Sequence, residues 1–132
     1  MKTYTTITDS SRAAKLLHDH LVNLDHEELW VIFLNSANHV ITKEMLSMGS
    51  LTSTIIDARC ILRRALLINA AGILLAHNHP SGNPAPSASD IKQTDAIGKA
   101  CKLMDIGLVD HLILSPDSYY SFADEAEAEY NF

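Results

Sequence analysis

The chain has 132 residues, 47% of them apolar and 20% charged, with a formal net charge of −6. That length suits a single domain of about 100–150 residues, and the acidic balance disfavours direct nucleic-acid binding by this chain alone. Apolar runs such as WVIFL and GILLA fall far short of the roughly 20 residues of a membrane span, and no long apolar stretch near the N-terminus reads as a secretory signal.

Residues 9–22, DSSRAAKLLHDHLV, read as a helix capped by Ser10 or Ser11, with Ala14, Leu17 and Leu21 at helical spacing. ELWVIFLN, residues 28–35, is β-branched and aromatic and predicts a buried strand. NSAN then supplies turn chemistry, and HVITKEMLSMG alternates so as to return antiparallel as a hairpin. DARCILRRALLIN, residues 57–69, predicts a helix with Ile61, Ala65 and Ile68 on its apolar face and Asn69 at its end. Arg59 and Arg63 read as solvated charges.

AGILLAHNH is an apolar strand entered from Gly72. Ser87 to about Asp105 is helical, with Ile97, Ala100, Cys101 and Met104 on one face. GLVDHLILS is a further buried strand, and Pro116 and Asp117 turn the chain into a short strand, YYSFA. The acidic tail, residues 124–132, reads as a frayed helix or a disordered end. Cys60 and Cys101 are too few for a disulfide framework, so reduced thiols and a cytoplasmic address are expected. This order of elements predicts one domain over residues 1–132, a three-layer α/β/α sandwich with a mixed sheet.

The stretch LLAHNHPSGNPAPSASDI, residues 74–91, carries the chemistry. Side chains two apart on a strand share a face, so His77 and His79 project together. Pro80 ends the strand, and a proline-rich loop leads to a helix with Asp90 in its first turn. Two imidazoles and a carboxylate suit zinc, which keeps a fourth position open in catalytic sites. The same donors suit non-haem iron. Ser87-Ala-Ser-Asp90 is also a capping-box pattern, which would occupy Asp90 without any metal.

HNHPSGNPAPSASD resembles the JAMM signature of the JAB/MPN metalloprotease superfamily: His-x-His, seven residues, Ser, two residues, Asp. His77, His79, Ser87 and Asp90 fit it without a gap. More narrowly, NAAGILLAHNHPSGNPAPSASDIKQT with LVDHLILS and YYSF resembles the RadC family, over roughly residues 25–123. The resemblance implies a cytidine deaminase-like fold and one zinc per chain held by His77, His79 and Asp90. It implies a metalloprotease or isopeptidase acting on an amide bond of a peptide or protein substrate.

The resemblance also implies a proton-carrying glutamate, which in RadC-like chains precedes a strand as Glu-x-x-Trp; that maps onto Glu27 before Trp30, with Glu28 as the register-shifted alternative. Ser87 is implied as an oxyanion donor, a role expected to compete with helix capping for its one hydroxyl. Of Asp110 and His111, which alternate on a strand, one is a candidate to support the metal ligands, and Asn78 is a candidate to hold the loop.

Two features depart from the pattern. Many relatives carry Pro-Arg-Glu where this chain has DARCIL, and the chain is expected to be a short free-standing form without a helix-hairpin-helix module. The alternative function is a non-catalytic accessory role in DNA repair or mobile-element DNA metabolism. A nucleobase deaminase is excluded, because no Cys-x-x-Cys is present and His79 stands where such an enzyme needs glutamate.

Overall fold

The computed structural model describes residues 3–48 and 56–132. Helix α1 (Ser10–Leu21) is capped by Asp9, not by either serine, because the Asp9 carboxylate accepts the Arg12 N–H at 2.8 Å. A carboxylate at this position also complements the positive end of the helix dipole. Ala13, Ala14, Leu17 and Leu21 form its buried stripe.

Strand β1 (Glu28–Leu34) turns back into β2 (Val40–Met48) as an antiparallel hairpin. Asn35 Oδ1 accepts the N–H groups of Ala37 and His39 at 2.9 and 3.0 Å. Asn38 takes a left-handed φ of 60°, which asparagine tolerates. Gly49, the last residue expected of this strand, lies outside the described residues.

Asp57 caps α2 (Ala58–Leu67) by accepting from Arg59 and Cys60. Arg64 binds Glu44 of β2 through two parallel bonds of 2.8 Å, tying the helix to the hairpin. Asn69, at a φ of 58°, stops the helix before β3 (Gly72–Asn78). The remaining elements are α3 (Ala88–Leu103), β4 (Gly107–Leu114), β5 (Ser118–Ser121) and β6 (Ala126–Glu129). Met104, expected on the buried face of α3, is exposed, because the helix stops at Leu103 and the chain bends at Asp105.

The acidic tail is neither a frayed helix nor a disordered end. Ala126–Glu129 pairs antiparallel with β5, and the Tyr130 hydroxyl donates to the Ser115 carbonyl at 2.6 Å. Alanine and glutamate favour helix in isolation, but a free sheet edge supplies backbone partners that a lone four-residue helix lacks.

Among the described residues, one sheet has the order β2-β1-β3-β4-β5-β6. Only β3 and β4 run parallel, joined by α3 as the crossover such a pair needs. On one face α1 packs over Ile32, Leu34, Leu74, Ala76, Leu112 and Leu114. On the other, α2 and α3 cover Val31, Phe33, Ile73 and Leu75. Alternate residues of β1 and β3 thus enter two different cores, which is why both strands are apolar at nearly every position. The result is the expected α/β/α sandwich with a mixed sheet. No described helix is long and apolar enough to cross a membrane.

Candidate metal centre

The register of the central strands sets the site. Leu29 of β1 pairs with His77 of β3, so Glu27, two residues earlier, falls on the same face just past the paired region. His77 is fully buried, and Glu27 is only 5% exposed. His79 continues beyond β3, its N–H donating to the Leu114 carbonyl at 2.9 Å. Pro80 then opens a turn that Gly82 closes by donating to the His79 carbonyl at 3.1 Å, with Gly82 at a φ of 89° that a side chain would resist.

This turn fixes a tautomer. The Asn83 carbonyl lies 2.9 Å from His79 Nδ1 and can only accept, so Nδ1 carries the hydrogen in the neutral ring. His79 Nε2 is then bare and faces Asp90 Oδ2 at 3.2 Å. His77 Nε2 lies 3.3 Å from Asp90 Oδ1 and 3.2 Å from His79 Nε2. Glu27, His77 and His79 also offer ligand atoms that all lie within 4.8 Å of one another.

Two carboxylates, Asp90 and Glu27, therefore stand beside the same imidazoles. A tetrahedral ion needs ligand–ligand edges about 1.6 times its bond length, or roughly 3.3 Å for zinc bonds of about 2.0–2.1 Å. The Asp90 contacts have that length, one from each carboxylate oxygen, Oδ1 toward His77 and Oδ2 toward His79, and two imidazoles with a carboxylate are donors that suit a zinc-sized cation.

The capping reading of Asp90 is compatible with the metal reading. Its Oδ2 accepts the Ser87 N–H at 2.8 Å while Ser87 Oγ accepts the Asp90 N–H at 3.0 Å, a complete capping box. A carboxylate has about four acceptor sites, so capping leaves capacity for the imidazoles. The competition expected at Ser87 does not arise either. Capping uses an oxygen lone pair, and the hydroxyl hydrogen stays available to donate.

Burial alone would raise the Asp90 carboxyl, but the His77 and His79 imidazoles beside it and the Ser87 N–H outweigh it and hold the group far below the usual carboxylate range. For His79 burial opposes the charged form, yet the bond to Asp90 and the Asn83 carbonyl raise it above the ordinary imidazole value. Glu27 is raised by burial, against the pull of His77 and His79.

Glu28 does not join the cluster. Its carboxylate accepts from Trp30 Nε1 at 3.0 Å and meets His26 Nε2 at 2.8 Å. Asn78 is buried and does not hold the loop as expected; its contacts are to the segment around Glu27. Asp110 and His111 do point to opposite faces. Asp110 accepts from Ser121 Oγ, the Ala123 N–H and the His111 N–H, away from the histidines. His111 stands behind His77, at 2.8 Å from its Nδ1, with Phe122 stacked on its ring at 5.0 Å. Burial holds His111 well below the ordinary imidazole value. Thr94, which the sequence reading missed, bonds His111 Nδ1 at 2.6 Å. Its one signal is position: four residues after Asp90, it faces the same side of α3.

An α/β/α domain with a His-x-His pair and two carboxylates gathered at the end of its central strand is a JAB-type domain with a candidate metal centre. The chain belongs to the RadC-like JAB domain family, whose model matches residues 7–128. It is 43% identical over 119 residues to a UPF0758 protein of Flavobacterium johnsoniae, covering 90% of this chain and 52% of that one. A UPF0758 protein of Porphyromonas gingivalis is 44% identical over 121 residues, covering 91% and 53%. UPF0758 protein YfjY of Escherichia coli is 39% identical over 123 residues, covering 93% and 77%. The chain thus spans about half the length of the first two relatives.

Proposed function

We propose that this chain is a zinc-dependent hydrolase that cleaves an amide bond of a peptide or protein. In this reading His77, His79 and Asp90 hold the metal, Glu27 carries the proton and Ser87 donates to the developing oxyanion. The observation that supports it is the convergence of two imidazoles and a carboxylate at 3.2–3.3 Å, with a second buried acid beside them.

Zinc bound there would supply Lewis acidity and make water acidic enough to ionise near neutral pH. Glu27, raised by burial, is suited to take a proton from water and return it to the leaving amine. Ser87 stands at the start of α3 with its hydroxyl hydrogen free, aligned with the helix N-terminus that favours negative charge. The two carboxylates divide the work by environment: Asp90 stays ionised, and Glu27 exchanges protons.

The test incubates the zinc-loaded chain with mixed linear and isopeptide-linked peptides and reads newly formed amines by mass spectrometry. Wild type should cleave, Glu27→Gln should keep one zinc and cleave nothing, and His77→Ala should lose the zinc. Zinc-loaded wild type that cleaves nothing, or full zinc in the His77 variant, overturns the reading.

A further inference from the structure

The hydrogen bonds behind His77 run in one direction. Thr94 Oγ1 lies 2.7 Å from the main-chain carbonyl of Asp90, an atom that only accepts, so the threonine hydroxyl donates there. Its oxygen is left to accept, and His111 Nδ1, at 2.6 Å, must supply the hydrogen.

His111 is fully buried, and among the described residues no carboxylate bonds to its ring, so the ring is neutral and carries one N–H. Its Nε2 is therefore a lone pair. At 2.8 Å that lone pair accepts the Nδ1–H of His77. The ring of His77 then has no hydrogen on Nε2, the atom 3.3 Å from Asp90 Oδ1.

We propose that Thr94 and His111 are positioning residues that lock His77 as its Nδ1–H tautomer and so aim a bare Nε2 at the cation site. The circuit starts on the backbone of Asp90 and ends beside the Asp90 side chain. The same turn of α3 thus places one donor and sets the protonation pattern of the other. A histidine as the acceptor behind a metal-facing histidine, where a carboxylate or carbonyl is the common choice, adds no negative charge to the buried strand end.

The inference rests on the proposed metal site only for its affinity arm; the tautomer arm needs no metal. Long-range proton–nitrogen correlation spectra of the metal-free chain should show His77 and His111 both with hydrogen on Nδ1. Thr94→Val keeps the shape and removes the hydroxyl, so His111 should shift toward a tautomer mixture and zinc affinity should fall about 10–100-fold. Thr94→Ser should restore both. Metal-free wild type with hydrogen on His77 Nε2 overturns the proposal. So does a Thr94→Val protein with wild-type spectra and wild-type affinity. Should wild type take up no zinc, the functional reading fails while the spectra still decide this one.

Discussion

Asn78 holds Glu27 in place without touching its side chain. The Asn78 carboxamide oxygen accepts the Glu28 N–H at 2.8 Å, and its nitrogen donates to the His26 carbonyl at 2.8 Å. One side chain thereby grips the backbone on both flanks of Glu27. The strand that presents His77 on one face uses its last residue, on the other face, to hold the segment around Glu27.

Asn78→Ala should therefore cost about 1 kcal/mol in urea unfolding, since it removes the partner of two half-buried backbone groups. Asn78→Asp keeps the acceptor but cannot donate to the His26 carbonyl, so it should be destabilising too. Zinc content should stay near wild type in both, because the residues assigned to the metal are unchanged. A cost within about 0.5 kcal/mol, the range of an ordinary surface change, would count against the clamp.

Glu27→Gln should stabilise the metal-free protein at neutral pH more than in acid. Burial raises this carboxyl, so the folded state prefers it protonated. A raised group contributes fully below its unfolded pKa, and the contribution is lost as pH rises through the folded value. Glutamine removes the neutral-pH penalty and nothing at low pH. Equal effects in denaturation at about pH 3 and about pH 7, on either side of the usual carboxyl range, would refute this.

Zinc affinity should weaken as pH falls, and should start to do so above the ordinary imidazole value. Asp90 and the Asn83 carbonyl outweigh burial and favour a proton on His79, which a metal must displace. One displaced proton weakens binding about tenfold per pH unit below that group's pKa. Chelator competition across the neutral range measures the slope, and a flat profile would show that His79 is not displaced.

Zinc should also raise the thermal midpoint. Free zinc at 100 times its Kd adds about 2.7 kcal/mol if the unfolded chain does not bind. Chelation should reverse the gain, and His77→Ala should show none in differential scanning calorimetry.

Ser87→Ala should destabilise the fold by about 1 kcal/mol, and Ser87→Gly by less, through loss of the α3 cap. Because the same capping box orients Asp90, zinc affinity should fall in the alanine variant as well. Unchanged affinity with the expected loss of stability would separate capping from metal binding.

Most of the fold was legible because the chain is consistent at each level. The apolar runs of β1 and β3 are too short for helices and too continuous for a one-sided sheet. Asparagine and proline mark the turns where they occur. The misreadings came where a local preference met a tertiary partner. Ala126–Glu129 has helical composition but lies beside an open strand edge. Asp9 out-competed two neighbouring serines for one cap, a choice that composition alone leaves open.

At the site, spacing along the chain singled out His77, His79, Ser87 and Asp90, because strand period and helix start are local properties. Sequence alone also determined that one mixed α/β sandwich would form, since hydrophobic period and turn chemistry act over a few residues. Only the tertiary structure brought Glu27 and not Glu28 beside the histidines, turned Asn78 toward the segment around Glu27, and put Thr94 and His111 behind His77. Those choices depend on the register between β1 and β3 and on the seat of α3 over β4. Contacts between residues 17–52 positions apart, such as Thr94 with His111 and Asn78 with His26, are set by packing of whole elements, and no local pattern encodes them.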